Sequence, residues 1–102
     1  MKDEMWKADL IRSRGYKCEW CIIRPATDLH HALIGRMKGK PELDVEENLM
    51  VACHRCHVGK ELLDTQEVRL WFWNKQCERY GRDRMVEWVK NLPLKIKPAL
   101  YR

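Results

Sequence analysis

The chain has 102 residues, 45% of them hydrophobic and 34% charged, and a formal charge of +5. A chain this short is one domain that buries only about 60–70% of its unfolded surface, so its core needs reinforcement. Nothing approaches the roughly 20 apolar residues of a membrane span, and four charges among the first seven residues argue against a secretory leader.

The first predicted element is a helix over residues 2–14, with Trp6 and Leu10 one turn apart and Gly15 suited to the position just past its end. Residues 16–56 form an irregular centre with strands at 28–34 and 49–52. The Gly-, Pro- and charge-rich stretch 35–47 between them reads as an exposed loop. A short helix follows over 54–63. Asp64 or Thr65 with Glu67 then resembles a capping signature for a helix reaching about Tyr80. Leu70, Trp73, Cys77 and Tyr80 make its apolar stripe, with Trp71 and Phe72 beside it, and Cys77 reads as a buried free thiol. Gly81 stops this helix. A last one over 83–91 buries Met85, Trp88, Val89 and Leu92 before Pro93. The organisation is thus a single domain 1–102: an N-terminal helix (1–15), a central core (16–63), C-terminal helices (64–92) and a basic tail (93–102).

Charge is unevenly spread. Residues 1–68 hold 11 Lys/Arg and 12 Asp/Glu, a net of −1, whereas 69–102 hold 9 and 3, a net of +6. A basic C-terminal third suggests a polyanionic partner.

Four of the five cysteines stand in two CxxC pairs, Cys18/Cys21 and Cys53/Cys56. Each pair sets two thiolates on a tight turn, and two such turns supply the four soft ligands that a structural Zn²⁺ prefers. In a cytosolic protein, the expected setting here, paired thiols hold metal more often than they form disulfides. Binding would add folding free energy directly.

The histidines cluster beside these cysteines. The chain reads Asp28-Leu29-His30-His31, then Glu47-Asn48-Leu49, then Cys53-His54-Arg55-Cys56-His57 and Gly59-Lys60-Glu61. Neighbouring side chains on a strand point to opposite faces, so His30 and His31 suit different tasks. His57 and Glu61 share a helix face at i, i+4. This ensemble, over residues 18–61, resembles the HNH endonuclease family in its four-cysteine zinc-ribbon, phage-like subgroup. The order His31, Asn48, His57 matches the motif that names the family.

The resemblance implies an α+β fold with a ββα-metal core stapled by a four-cysteine zinc site, flanked by helices at both ends. It implies hydrolysis of DNA phosphodiester bonds to a 5′-phosphate and a 3′-hydroxyl. His30 and His57 would hold one catalytic divalent metal (Mg²⁺, Mn²⁺, Ni²⁺ or Zn²⁺), and His31 would be the general base. Asn48 is either a brace for the loop behind His31 or a metal ligand; with His57 available, the brace is preferred. Asp28 and Glu61 are each open as third ligand, partner of a metal-bound histidine, or surface charge. His54 reads as a solvent or phosphate contact.

Arg36, Lys38 and Lys40 in the loop, with Arg82 and Arg84 in the C-terminal segment, are the expected contacts to double-stranded DNA, joined by Lys90, Lys95 and Lys97. Trp71, Trp73 and Trp88 read as packing residues, while Trp20 is open to a DNA contact. A monomer would nick and a homodimer would cut both strands. Two other functions fit part of the pattern: a zinc-ribbon DNA-binding module without catalysis, and an accessory to phage packaging proteins.

Overall fold

The computed structural model describes residues 4–35, 41–59 and 65–92. Its elements in order are α1 (Glu4–Ser13), β1 (Asp28–His31), a 3-10 turn (Pro41–Leu43), β2 (Leu49–Ala52), α2 (His54–His57), α3 (Gln66–Tyr80) and α4 (Arg82–Lys90). The result is a small mixed α/β protein around one two-stranded antiparallel sheet.

The register pairs Asp28 with Ala52, Leu29 with Val51, His30 with Met50 and His31 with Leu49. All four β2 residues are fully buried because both faces of the hairpin are covered. Leu49 and Val51 join Leu10 and Ala26, with Trp6, Ile11 and Leu29 packed alongside. Met50 and Ala52 join the larger cluster of Leu33, Ile34, Leu43, Phe72, Trp73, Met85, Val89 and Leu92. A strand sandwiched in this way loses the apolar–polar alternation of a half-exposed one, which is why Leu-Met-Val-Ala is continuously apolar.

β1 is shorter than the 28–34 strand read from the sequence. The chain leaves the ladder after His31 because the backbone of Leu33 and Ile34 bonds the Asn48 side chain instead of a strand partner. Ala32 to Ile34 still enter the core.

α2 spans a single turn, with Cys53 as its N-cap. At Gly59, just beyond it, a Cβ would lie 2.4 Å from the Arg55 carbonyl oxygen, so any side chain there would force the turn apart. The helix expected to reach 63 stops at His57, because Val58 caps it and the chain turns at Gly59; residues 60–63 lie outside the described residues. Thr65 caps α3 by accepting from the Val68 N–H at 3.3 Å. Gly81, at φ 93°, ends α3 and opens α4 in a region that side-chain-bearing residues rarely adopt.

The buried line of α3 differs from the expected stripe. Phe72, Trp73 and Gln76 are buried, with Val68, Trp71, Cys77 and Tyr80 packed against the core, whereas Leu70 is 48% exposed. A polar residue, Gln76, rotates the helix: its amide donates to the carbonyls of Glu46 and Glu47 at 2.9 and 3.0 Å. In α4, Met85 and Val89 are buried and Leu92 beyond it is too. Trp88, expected in the core, is half-buried and donates to the Glu42 carbonyl.

Candidate metal centre and histidine cluster

Two turns bring the cysteines together. In the first, the Cys18 carbonyl accepts from the Ile22 N–H at 2.9 Å, and the backbone bridges Lys17 to Pro25. In the second, the Cys53 thiol sulfur accepts from the Cys56 N–H at 3.4 Å as α2 begins. The four sulfurs lie within 4.8 Å of one another, and Cys21 Sγ is 3.9 Å from Cys53 Sγ. Tetrahedral Zn–S bonds of about 2.3 Å require sulfurs about 3.8 Å apart, so the quartet fits a structural zinc ion. Three of the four are buried, and none of the cysteines is in a disulfide.

Arg24 completes this site. Its Nε donates to Cys53 Sγ at 3.3 Å and its Nη2 to Cys56 Sγ at 3.6 Å. Burial pushes the Cys53 thiol up, but Arg24 and the Cys56 N–H outweigh it and hold the group down to about 6. Burial, with Cys53 beside it, pushes the Cys56 thiol up to about 12. A metal with four thiolates carries a net charge of −2, which the guanidinium partly offsets.

The histidines gather on the next layer. Asp28 and His30 share one face of β1, and α2 returns over that face. The His30 and His57 rings lie 5.1 Å apart. Asp28 Oδ2 is 3.0 Å from His57 Nδ1 and 3.0 Å from His54 Nδ1, and Thr27 Oγ1 donates to Oδ1. Burial raises the Asp28 carboxyl, and the bonds from His57, His54 and Thr27 more than reverse this, leaving it below the ordinary carboxylate value. A carboxylate on Nδ1 fixes a histidine's tautomer and leaves Nε2 for a metal. His31 turns the other way, alongside Leu29, and its Nε2 lies 2.7 Å from Asp44 Oδ1.

Asn48 is completely buried, and its side chain makes four bonds. Oδ1 accepts from the Leu33 and Ile34 N–H groups at 3.2 and 2.9 Å, and Nδ2 donates to the Ile34 and Leu43 carbonyls at 2.9 and 3.0 Å. It therefore clamps the chain just after His31 to the chain just before Asp44. The carbonyls of Glu46 and Glu47 are held in turn by Gln76, and that of Glu46 also by Arg14. The Arg14 side chain is fully buried. It reaches Glu19 at 2.9 Å, the Leu49 carbonyl at 2.8 Å and Tyr80 Oη at 2.9 Å, and Arg79 bonds the other Glu19 oxygen.

The structure thus brings His30, His57, His54 and Asp28 together beside the thiol quartet. Among the described residues, that quartet is the only group of three or more His, Cys, Asp or Glu whose ligand atoms all lie within 4.8 Å of one another. Glu61, Arg36, Lys38 and Lys40 lie outside the described residues, as do Lys95 and Lys97. Arg82 is exposed at the start of α4. Arg84 is engaged by Glu46 and Glu47 and stacks 4.3 Å over the Tyr80 ring, so its charge is already offset. Trp20 packs edge-on against Trp71 at 5.1 Å. Sequence reasoning missed Asp44, Arg24, Gln76 and the Arg14–Glu19 pair. Only Glu19, set inside a CxxC turn, carried any local signal.

Fold and site together define a small α/β protein with a four-cysteine centre suited to structural zinc. No helix among the described residues is long and apolar enough to cross a membrane. Comparison with models of known families, with curated proteins and with solved structures finds no match to this chain.

Proposed function

We propose that the chain is a metal-dependent DNA endonuclease of HNH type, with β1, β2 and α2 as its ββα-metal core. The observation that carries this reading is the approach of His30 to His57 across the hairpin–helix junction, with Asp28 on His57 Nδ1. His30 and His57 would hold one divalent cation, with Asp28 orienting His57 rather than binding the ion. Two imidazoles suit Zn²⁺ or Ni²⁺, whereas Mg²⁺ or Mn²⁺ would call for a carboxylate and waters beside them. Such a cation offsets charge developing on the phosphate and the leaving 3′ oxygen.

His31 takes the proton from the attacking water as the new P–O bond forms. The bond to the 3′ oxygen breaks, and that oxygen is protonated by solvent. In-line displacement sets nucleophile and leaving group on opposite sides of phosphorus. Adjacent strand residues facing opposite ways suit a division of labour between one ligand and one base. Asn48 braces the turn behind the base. Exposed Arg82, with the basic residues of the loop and tail, would contact duplex phosphates.

The test is supercoiled plasmid with Mg²⁺, Mn²⁺, Ni²⁺ or Zn²⁺, comparing wild type, His31→Ala and His57→Ala. Metal-dependent nicking abolished by EDTA and lost in both variants is expected. A second reading, a zinc-stapled DNA-binding module without catalysis, is favoured by the thiol quartet alone forming a closed ligand set among the described residues. DNA binding by the wild type without cleavage in any of the four metals would establish it instead.

A further inference from the structure

We infer that Asp44 is the positioning residue that makes His31 a base, an inference that rests on the nuclease reading above. Asp44 follows the 3-10 turn directly and places Oδ1 2.7 Å from His31 Nε2. Both side chains are largely shielded, at 9% and 21% exposure, so the contact is not a loose surface pair. Each partner is anchored on its own account. His31 ends the ladder opposite Leu49, and the Leu43 carbonyl next to Asp44 is held by Asn48 Nδ2 at 3.0 Å.

A carboxylate only accepts hydrogen bonds, so the neutral ring must carry its proton on Nε2. The lone pair then resides on Nδ1, and that atom takes the proton from the attacking water. The same bond stops the ring from rotating about its Cβ–Cγ axis. When the proton arrives, the imidazolium forms beside an opposite charge. Asp44 touches neither substrate nor metal in this scheme. It acts through His31, in the way that a carboxylate behind a catalytic histidine sets tautomer and orientation.

The experiment uses the full chain loaded with zinc. Ring ¹⁵N NMR of His31 in the wild type should show the Nε2–H tautomer. Asp44→Asn, whose amide can donate to Nε2, should populate the Nδ1–H form. In plasmid nicking with the most active of Mg²⁺, Mn²⁺, Ni²⁺ and Zn²⁺, the variant should lose on the order of a thousand- to ten-thousandfold in kcat. KM for DNA should stay within about twofold, and zinc content should match the wild type. A wild-type ring protonated on Nδ1, or an unchanged kcat in the variant, overturns the inference and leaves the nuclease reading standing. No nicking by the wild type in any metal sinks both.

Discussion

Replacing Asn48 by Asp changes one group of matched size and shape, and it separates a brace from a metal ligand. Aspartate keeps the oxygen that accepts from the Leu33 and Ile34 N–H groups. It replaces the donor to the Ile34 and Leu43 carbonyls with a second acceptor. The residue has no exposed surface, so water cannot repair the loss. Each buried carbonyl deprived of its donor costs about 1–3 kcal/mol, and two together cost about 2–6 kcal/mol. Uptake of a proton by the new carboxyl would restore one donor, so the loss settles at about 3 kcal/mol. In a domain of this size that lowers Tm by about 12 °C or more. Urea and thermal unfolding of the zinc-loaded variant measure it. A direct ligand would behave in the opposite way, since a carboxylate binds a hard cation better than an amide does. Stability within about 1 kcal/mol of wild type, together with tighter Mn²⁺ binding, would refute the brace.

Three further outcomes are expected. Stripping the metal with a chelator, or Cys56→Ala, should unfold the protein, because a structural zinc contributes about 10–16 kcal/mol against a typical total stability of about 5–15 kcal/mol. Circular dichroism reads this, and metal uptake at pH 7 should release protons, because free thiols are largely protonated at that pH and bind the ion as thiolates. Ile22→Gly should stabilise the protein by about 1 kcal/mol: Ile22 sits at φ 64°, where a β-branched residue is strained, and its side chain is 68% exposed. A loss of Tm in that variant would show that the side chain has a packing role. Cys77 should alkylate with a midpoint above pH 9.0, because burial, only partly countered by Arg82, raises its thiol. Its folded value lies above the unfolded one, so stability falls as pH rises from about 9.0 toward the raised value. A midpoint at or below 9.0 would contradict this.

The features legible in the sequence were those whose physics is local. The CxxC pairs announced a four-thiol site because two residues between cysteines already fix a turn that aims both sulfurs one way. β2 was placed at Leu49–Ala52 from its short apolar run, and Thr65 was one of two caps offered before α3. Gly81 marked the break between α3 and α4 because a positive φ at a helix end favours glycine. The histidines and Asn48 were singled out by their order along the chain.

What the histidines bond to was decided only by tertiary structure. Asp44 meets His31 across 13 residues, and Asp28 divides one carboxylate oxygen between two rings on α2. Neither pairing has a spacing that local geometry could reveal. Arg14 and Glu19 are charged residues that composition assigns to the surface, yet their side chains are buried because they bond one another and the backbone of β2, with Arg14 Nε left without a partner among the described residues. Gln76 displaced Leu70 from the core for the same reason: an amide with two carbonyls to bond is worth burying, and an apolar pattern cannot see it. The order of residues determined which groups are available for chemistry. Their partners depended on which backbone atoms and side chains the packed helices left within about 3 Å, the reach of a hydrogen bond.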